Sequence, residues 1–303
     1  MVGRGELTDA AWQRIAPLLP GVDGRGRPWR DHRQVINGVL WRLRTGAPWR
    51  DLPERYGPWQ TVYERFARWE ADGTWAHLLE QVQVRDDSAG AVEWTVSVDS
   101  TVSRAHQHAV GARKKGAPAG NELEAPARSA ARQALGRSRG GLTTKVHLAC
   151  DGRGLPLAVV VTPGNTNDST VFDTVMGELR VPRTGAGRPC RGPDVVFADK
   201  AYSSRAIRQA LRGRGIRTVI PERADQKADR LWRGRTAGRP PAFDRELYKS
   251  RNVVERCFGR LKQFRAIATR FDKLAHRYRA GVHLASLILW LREPTQDPLS
   301  DSP

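Results

Sequence analysis

WTVSVDS, residues 94–100, alternates its side chains: Trp94, Val96 and Val98 point one way, Thr95, Ser97 and Asp99 the other. A period of two marks a half-buried β-strand, and this one carries an acid near its end. A second run, VVFA at 195–198, is apolar throughout, as expected of a strand covered on both faces, and Asp199 follows it. Between them, TKVHLACD (144–151) and LPLAVVV (155–161) flank DGRG, a hairpin signal. Residues 168–179 and 203–213 pattern as helices, IRTVI (216–220) as a strand, and roughly 247–266 and 275–292 as two long helices. The order β β β α β α β α α predicts an α/β layer fold built on a mixed sheet.

Upstream the character changes. Residues 7–83 pattern as helices, with Thr8 and Asp31 as starts, Val35, Val39 and Leu43 on one stripe, and Val62, Phe66 and Trp69 on another after Pro58. Arg42, Arg44, Arg65 and Arg68 lie around these helices, so a helix-turn-helix-like bundle with a basic, DNA-facing side is expected over 1–90, with the α/β domain over 91–303. Two insertions interrupt the second part, an Ala/Gly/Arg-rich stretch at about 104–140 and a Pro/Gly/Arg-rich one at about 221–247.

Charge narrows the function. The chain has 303 residues, 51 Lys and Arg against 32 Asp and Glu, and a formal net charge of +19, which points to a polyanionic partner. Cys150, Cys190 and Cys257 have neither metal-ligand nor redox spacing, and a cytoplasmic, nucleoid-associated protein is expected. The opening MVGRGELTDAAW lacks a signal peptide's apolar core, and no run of 18 apolar residues suggests a membrane span.

If the strands ending in Asp99 and Asp199 are parallel neighbours, both carboxylates reach one crevice, since ligands of open α/β sheets gather beyond the carboxyl ends of strands. A third acid lies in YKSRNVVERCFGRLK, where Tyr248, Arg251, Glu255 and Lys262 fall within an arc of about 60° on a helix of 100° per residue. Arg251 and Glu255 would pair in any helix at this spacing. Converging carboxylates repel by about 4 kcal/mol per pair at 4 Å and an effective dielectric of 20, so cations must offset them. An all-oxygen set selects Mg²⁺ or Mn²⁺, and two such ions suit phosphodiester chemistry. Arg251 and Lys262 would hold phosphates, and Tyr248 a phosphate or a base. Arg137, Arg139 and Lys145, around GRSRGGLTTK, are expected on the DNA backbone, Asp168 as a helix cap, and His106 and His108 on a phosphate or exposed.

The Y-x2-R-x3-E-x6-K pattern resembles the third motif of a group of DDE transposases of bacterial insertion sequences. The likeness extends to LTDAAWQRIAPLLP, GVLWRLRTGAPWRDLPERYGPW, VDSTVSRAHQH, TPGNTNDS and ADKAYSS, and so to nearly the whole chain. It implies an RNase H-like catalytic domain behind a helical DNA-binding region, and Asp99, Asp199 and Glu255 as catalytic ligands of two Mg²⁺ or Mn²⁺ ions. It also implies binding to terminal inverted repeats, cleavage at the element ends and joining of the 3′-OH to target DNA, by a homodimer on DNA. A silent DNA-binding regulator or another RNase H-like nuclease are the alternatives.

Overall fold

Thr8 opens the first helix: its hydroxyl accepts the Ala11 N–H at 3.1 Å, and α1 runs Asp9–Ile15. In the computed structural model, which describes residues 3, 5–21, 29–110, 133–138, 140–182 and 192–292, the second helix α2 spans His32–Thr45. The Asp31 carboxylate caps it, and it stops at Gly46, where φ is 71° and the absence of a Cβ matters. Helix α3, Trp59–Ala71, starts after Pro58, and α4 covers Thr74–Ser88. The expected stripe is the buried one: Val62, Phe66 and Trp69 are at most 1% exposed. Trp69 meets Trp75 edge-on at 5.0 Å, and the Trp75 indole donates to the Phe66 carbonyl, so the aromatic core leaves this N–H satisfied.

The sheet contains β1 (Thr95–Ala105), β2 (Gly136–Ser138), β3 (Gly141–Cys150), β4 (Pro156–Pro163), β5 (Val195–Ala198) and β6 (Arg217–Val219). Its main order is β4-β3-β1-β5-β6, with β2 beside the start of β3. β1–β3 and β3–β4 are antiparallel, whereas β1–β5 and β5–β6 are parallel. This is the mixed, helix-flanked sheet that the order of strands and helices predicts. The DGRG turn joins β3 to β4 as its sequence signals.

The remaining helices are α5 (Gln107–Val110), α6 (Asp168–Glu178), α7 (Arg205–Gly213), α8 (Ala224–Arg233), α9 (Arg245–Tyr248), α10 (Asn252–Lys262), α11 (Arg265–Ala268) and α12 (Ala275–Leu291). Helix α6 lies on β3 and β4, and α10 on β1 and β3. A two-residue strand, β7 (Thr269–Arg270), runs beside the end of β1. Helix α12 packs against both α4 and β4, so one apolar cluster continues from Leu7 through the bundle into the sheet. Val282, Leu284 and Leu287 of α12 are wholly buried, each contributing about 1.5–3 kcal/mol.

Three expectations need correction. The single helix over 247–266 is divided: α9 ends at Tyr248, a tight 3₁₀ turn covers Lys249–Arg251, and α10 begins at Asn252. Asp244 caps α9 by accepting from Leu247 N at 2.9 Å, which starts the helical path earlier than its apolar stripe suggests. Strand β1 extends five residues beyond Ser100, because β3 pairs with it as far as Arg104. The 221–247 insertion contains a helix, α8, whose periodicity its Arg and Ala content conceals. Much of the 104–140 insertion (111–132 and 139), Arg139 included, lies outside the described residues, as does Cys190.

Candidate functional site

The parallel register between β1 and β5 pairs Val98 with Ala198. One step on, Asp99 and Asp199 stand side by side on strands about 4.8 Å apart and face the same way. The Asp99 carboxylate is 18% exposed and held at both oxygens: Oδ1 accepts from Ser100 N at 2.8 Å, and Oδ2 accepts from Arg251 at 2.5 Å. Burial pushes the Asp99 pKa up. The Ser100 amide and Arg251 oppose this, while Asp199 and Asp168 add to it. Asp199 Oδ1 accepts from Ala201 N at 2.7 Å, which caps the turn after β5 and sets the carboxylate at the strand end.

Helix α10 brings the third acid. Val254, Phe258 and Leu261 are buried against the sheet, so the adjoining edge places Glu255 at the rim, 58% exposed. Arg251 bridges Glu255 Oε1 at 3.0 Å and Asp99 at 2.5 Å. Burial opposes its charge, but Asp99, Tyr248 and Glu255 outweigh burial and raise its pKa. Burial raises the Tyr248 pKa as well; Arg251 opposes this, while Asp199, Asp99 and Glu255 add to it, which puts the phenol at the same site. Lys262 Nζ reaches the Val102 carbonyl at 3.4 Å, and burial lowers its pKa.

Among the described residues no three His, Cys, Asp or Glu side chains are gathered closely enough to hold a metal. A guanidinium stands between Asp99 and Glu255 instead. The donor set still suits a hard divalent cation: two adjacent carboxylates and a third on a long, exposed side chain one cation away.

Beneath the acids lies a polar cluster that motif reading missed. Ser100 pairs with His147 across β1–β3, so both face away from Asp99. On that side Asp168 accepts from Ser100 Oγ at 2.7 Å and from Lys145 Nζ at 2.9 Å. His147 is 0% exposed; it shares a hydrogen bond with Thr162 Oγ1, and burial lowers its pKa to about 4. The buried Tyr202 hydroxyl, its pKa raised first by burial and then by Asp168, Asp99 and Asp199, joins the same neighbourhood. Asn167, and not Asp168, is the cap of α6, accepting from Ser169 N. The available signal was a charged residue immediately after a cap, which reads equally well as dipole compensation.

Several basic residues are placed differently from expectation. Arg42 makes a paired contact with Asp272 at 3.1 and 3.0 Å and is buried, which corrects its assignment to a DNA-facing side. Arg65 is likewise buried, against His32 at 2.8 Å and over Trp29 at 4.0 Å. Lys145 is 13% exposed and engaged by Asp168 and the Thr166 carbonyl, so it is not free for DNA. The last turn of a helix and a strand facing a neighbouring acid both absorb cations, here Arg42 and Lys145, that the sequence reading assigns to DNA. Arg68 and Arg137 are exposed, and Arg44 is half-buried. His106 packs on Phe271 at 4.9 Å and on His108 at 4.5 Å.

Comparison with known proteins places these residues in context. The model of the transposase DDE domain matches residues 90–290, and a model of the IS4/5 transposase family matches residues 7–79. A Burkholderia cepacia protein described as the transposase of insertion sequence element IS402 is 34% identical over 155 residues, 51% of this chain and 65% of that protein. The chain thus spans somewhat under two thirds of this relative. A Brucella ovis protein described as the transposase of IS6501 is 32% identical over 151 residues, half of this chain and all of that protein. A Mos1 transposase paired-end complex with the left transposon end covers 84% of this chain and 85% of its own, at 14% identity and a TM-score of 0.25, a likeness too loose to bear on the fold.

Proposed function

Because the chain belongs to the DDE transposase family of insertion sequences, we propose that it cuts and joins DNA at the ends of such an element. The observation that supports this best is the β1–β5 register that sets Asp99 beside Asp199, with Glu255 at the same rim. Asp99, Asp199 and Glu255 would hold two Mg²⁺ or Mn²⁺ ions. When bound, such ions supply Lewis-acid activation of an attacking oxygen and neutralise charge on the phosphate. The chain's own groups do the positioning. The Ser100 amide holds one Asp99 oxygen and the Ala201 amide one Asp199 oxygen, so neither carboxylate must reorganise on both sides. Arg251 and Tyr248 border the acids, where a phosphate would lie, and Lys262, near the Val102 carbonyl, would hold a phosphate further along the strand.

Residues 1–90 form the DNA-binding part in this proposal, with the exposed Arg68 and the half-buried Arg44 as contacts, and 91–303 the catalytic part, with Arg137 on the DNA backbone. Two copies would hold the two element ends. The test is an incubation of supercoiled plasmid carrying the element ends. With Mg²⁺ the wild-type protein nicks at the ends. Asp99→Asn lowers cleavage by at least about a hundredfold while end binding stays within about twofold. Full cleavage by that variant removes the ligand role, and end binding by the wild type without nicking points to a regulator.

A further inference from the structure

Asp168 opens α6, yet its own helix does not use it as a cap, since Asn167 fills that role. Its Oδ1 is turned to the sheet instead, where three groups meet it. Ser100 Oγ of β1 donates at 2.7 Å, Lys145 Nζ of β3 donates at 2.9 Å, and His147 Nδ1 of β3 stands at 3.7 Å. Lys145 and His147 alternate with Val146 and so share one face of β3. Ser100 lies opposite His147 in the β1–β3 ladder. One carboxylate thus ties α6 to both strands, on the face turned away from Asp99. The contact is shielded from water, with Asp168 24% and Lys145 13% exposed. A carboxylate only accepts, so the Ser100 hydroxyl must donate to it, and a charged acceptor strengthens the bond.

The consequence falls on Asp99. Ser100 is the residue whose amide donates to Asp99 Oδ1 at 2.8 Å. Its side chain is held on one face of β1, while its N–H serves the carboxylate that leaves from the other. Pinning the hydroxyl limits rotation of the Ser100 backbone and keeps that N–H aimed. Lys145 balances the charge of Asp168, so the acceptor stands behind Asp99 without adding its full repulsion to Asp99 and Asp199. Helix α6 also backs the second acid: Phe172, one turn after Asp168, meets Tyr202 at 5.7 Å, inside the turn that Asp199 caps.

We propose that Asp168, with Lys145 as its counter-ion, is a positioning residue for Asp99, acting through the Ser100 hydroxyl and amide to hold that carboxylate ready for a divalent ion. The proposal rests on the reading of Asp99 as a metal ligand. It gives Lys145, expected on DNA, a role inside the protein.

Manganese binding to the full chain tests it without any cutting. Free Mn²⁺ is followed by electron paramagnetic resonance during a titration in the absence of DNA. Ser100→Ala and Asp168→Ala each weaken Mn²⁺ binding between about ten- and a hundredfold, as the loss of groups that orient metal ligands does. The double variant loses no more than either single one, because both break the same link. Asp168→Asn keeps an acceptor for Ser100 and stays within about threefold of wild type. Thr162→Val removes the His147 partner in the same cluster. It lowers the melting temperature and leaves Mn²⁺ affinity within about twofold. In nicking of the plasmid that carries the element ends, Ser100→Ala and Asp168→Ala need correspondingly more Mn²⁺ for half-maximal rate, while the maximal rate stays within about threefold. Unchanged affinity in Ser100→Ala, which removes a single oxygen, overturns the proposal even where Asp168→Ala does not fold. Additive losses in the double variant overturn it, as does a loss in Asp168→Asn equal to that in Asp168→Ala. An equal loss in Thr162→Val overturns it too, by marking the cluster as merely structural. Wild-type protein that binds Mn²⁺ no better than the variants leaves the metal reading standing without this link. Wild-type protein that binds no Mn²⁺ overturns both.

Discussion

Asp151 shows how much one side chain can hold. It begins the DGRG turn, where Oδ1 accepts from Arg153 N at 3.1 Å and from Leu155 N at 2.7 Å, while Oδ2 is buried without a partner. Burial pushes its pKa up to about 6 from an ordinary value of 3.8. The folded chain therefore binds this proton more tightly than the unfolded chain, so the contribution to stability is complete below about pH 4 and is lost as pH rises to about 6. Asp151→Asn keeps an acceptor at Oδ1 and removes the charge. Thermal melts of the two proteins should coincide near pH 4, and at pH 7.5 the variant should be more stable by about 2–3 kcal/mol. A constant difference across this range would refute the buried charge. The turn was legible from its Gly and Asp spacing. The stranded oxygen was not, because it depends on what β1 and α10 pack over it.

Among elements, α2 and the segment leading into α12 are joined by a buried ion pair. Arg42 and Asp272 are 5% and 10% exposed, and Arg42 also lies over Trp49 at 5.2 Å. Removing one member of a buried pair strands the other, at a cost of about 3–5 kcal/mol. Arg42→Ala should shift the denaturation midpoint accordingly, and adding Asp272→Ala should recover part of the loss, which a double-mutant cycle would register. Independent, additive effects would mean that the pair contributes packing alone. Helix existence was readable in α1 and α2 because capping and stripe agree, and in α3 and α4 from the apolar stripe alone. The fate of each basic side chain was not, since RLR at the end of a helix looks the same whether its partner is water, DNA or an aspartate two hundred residues away.

Across the whole molecule, charge is the dominant physical property. Many of the cations are paired internally, Arg230 with Glu222 and Arg277 with Glu70 among them, yet the net remains +19. No helix among the described residues is long and apolar enough to cross a membrane, and a polyanion is the partner this excess would recruit. Affinity for DNA should fall at least about a thousandfold between 50 and 200 mM salt, as expected for six or more neutralised phosphates; a flat titration would contradict the role given to the charge. Strand alternation, helix caps, the DGRG turn and the Tyr248–Lys262 motif are local patterns, and local patterns set element type because backbone geometry repeats every few residues. The adjacency of Asp99 and Asp199 arises otherwise: it needs β1 and β5 to lie parallel and in step, which is a property of the packed sheet. The same holds for Arg251 reaching Asp99, for Asp168 beneath it, and for the cavity lined by Arg208 and Asp244. Each joins groups tens to hundreds of residues apart, where no spacing rule reaches and burial of a shared core selects the neighbours.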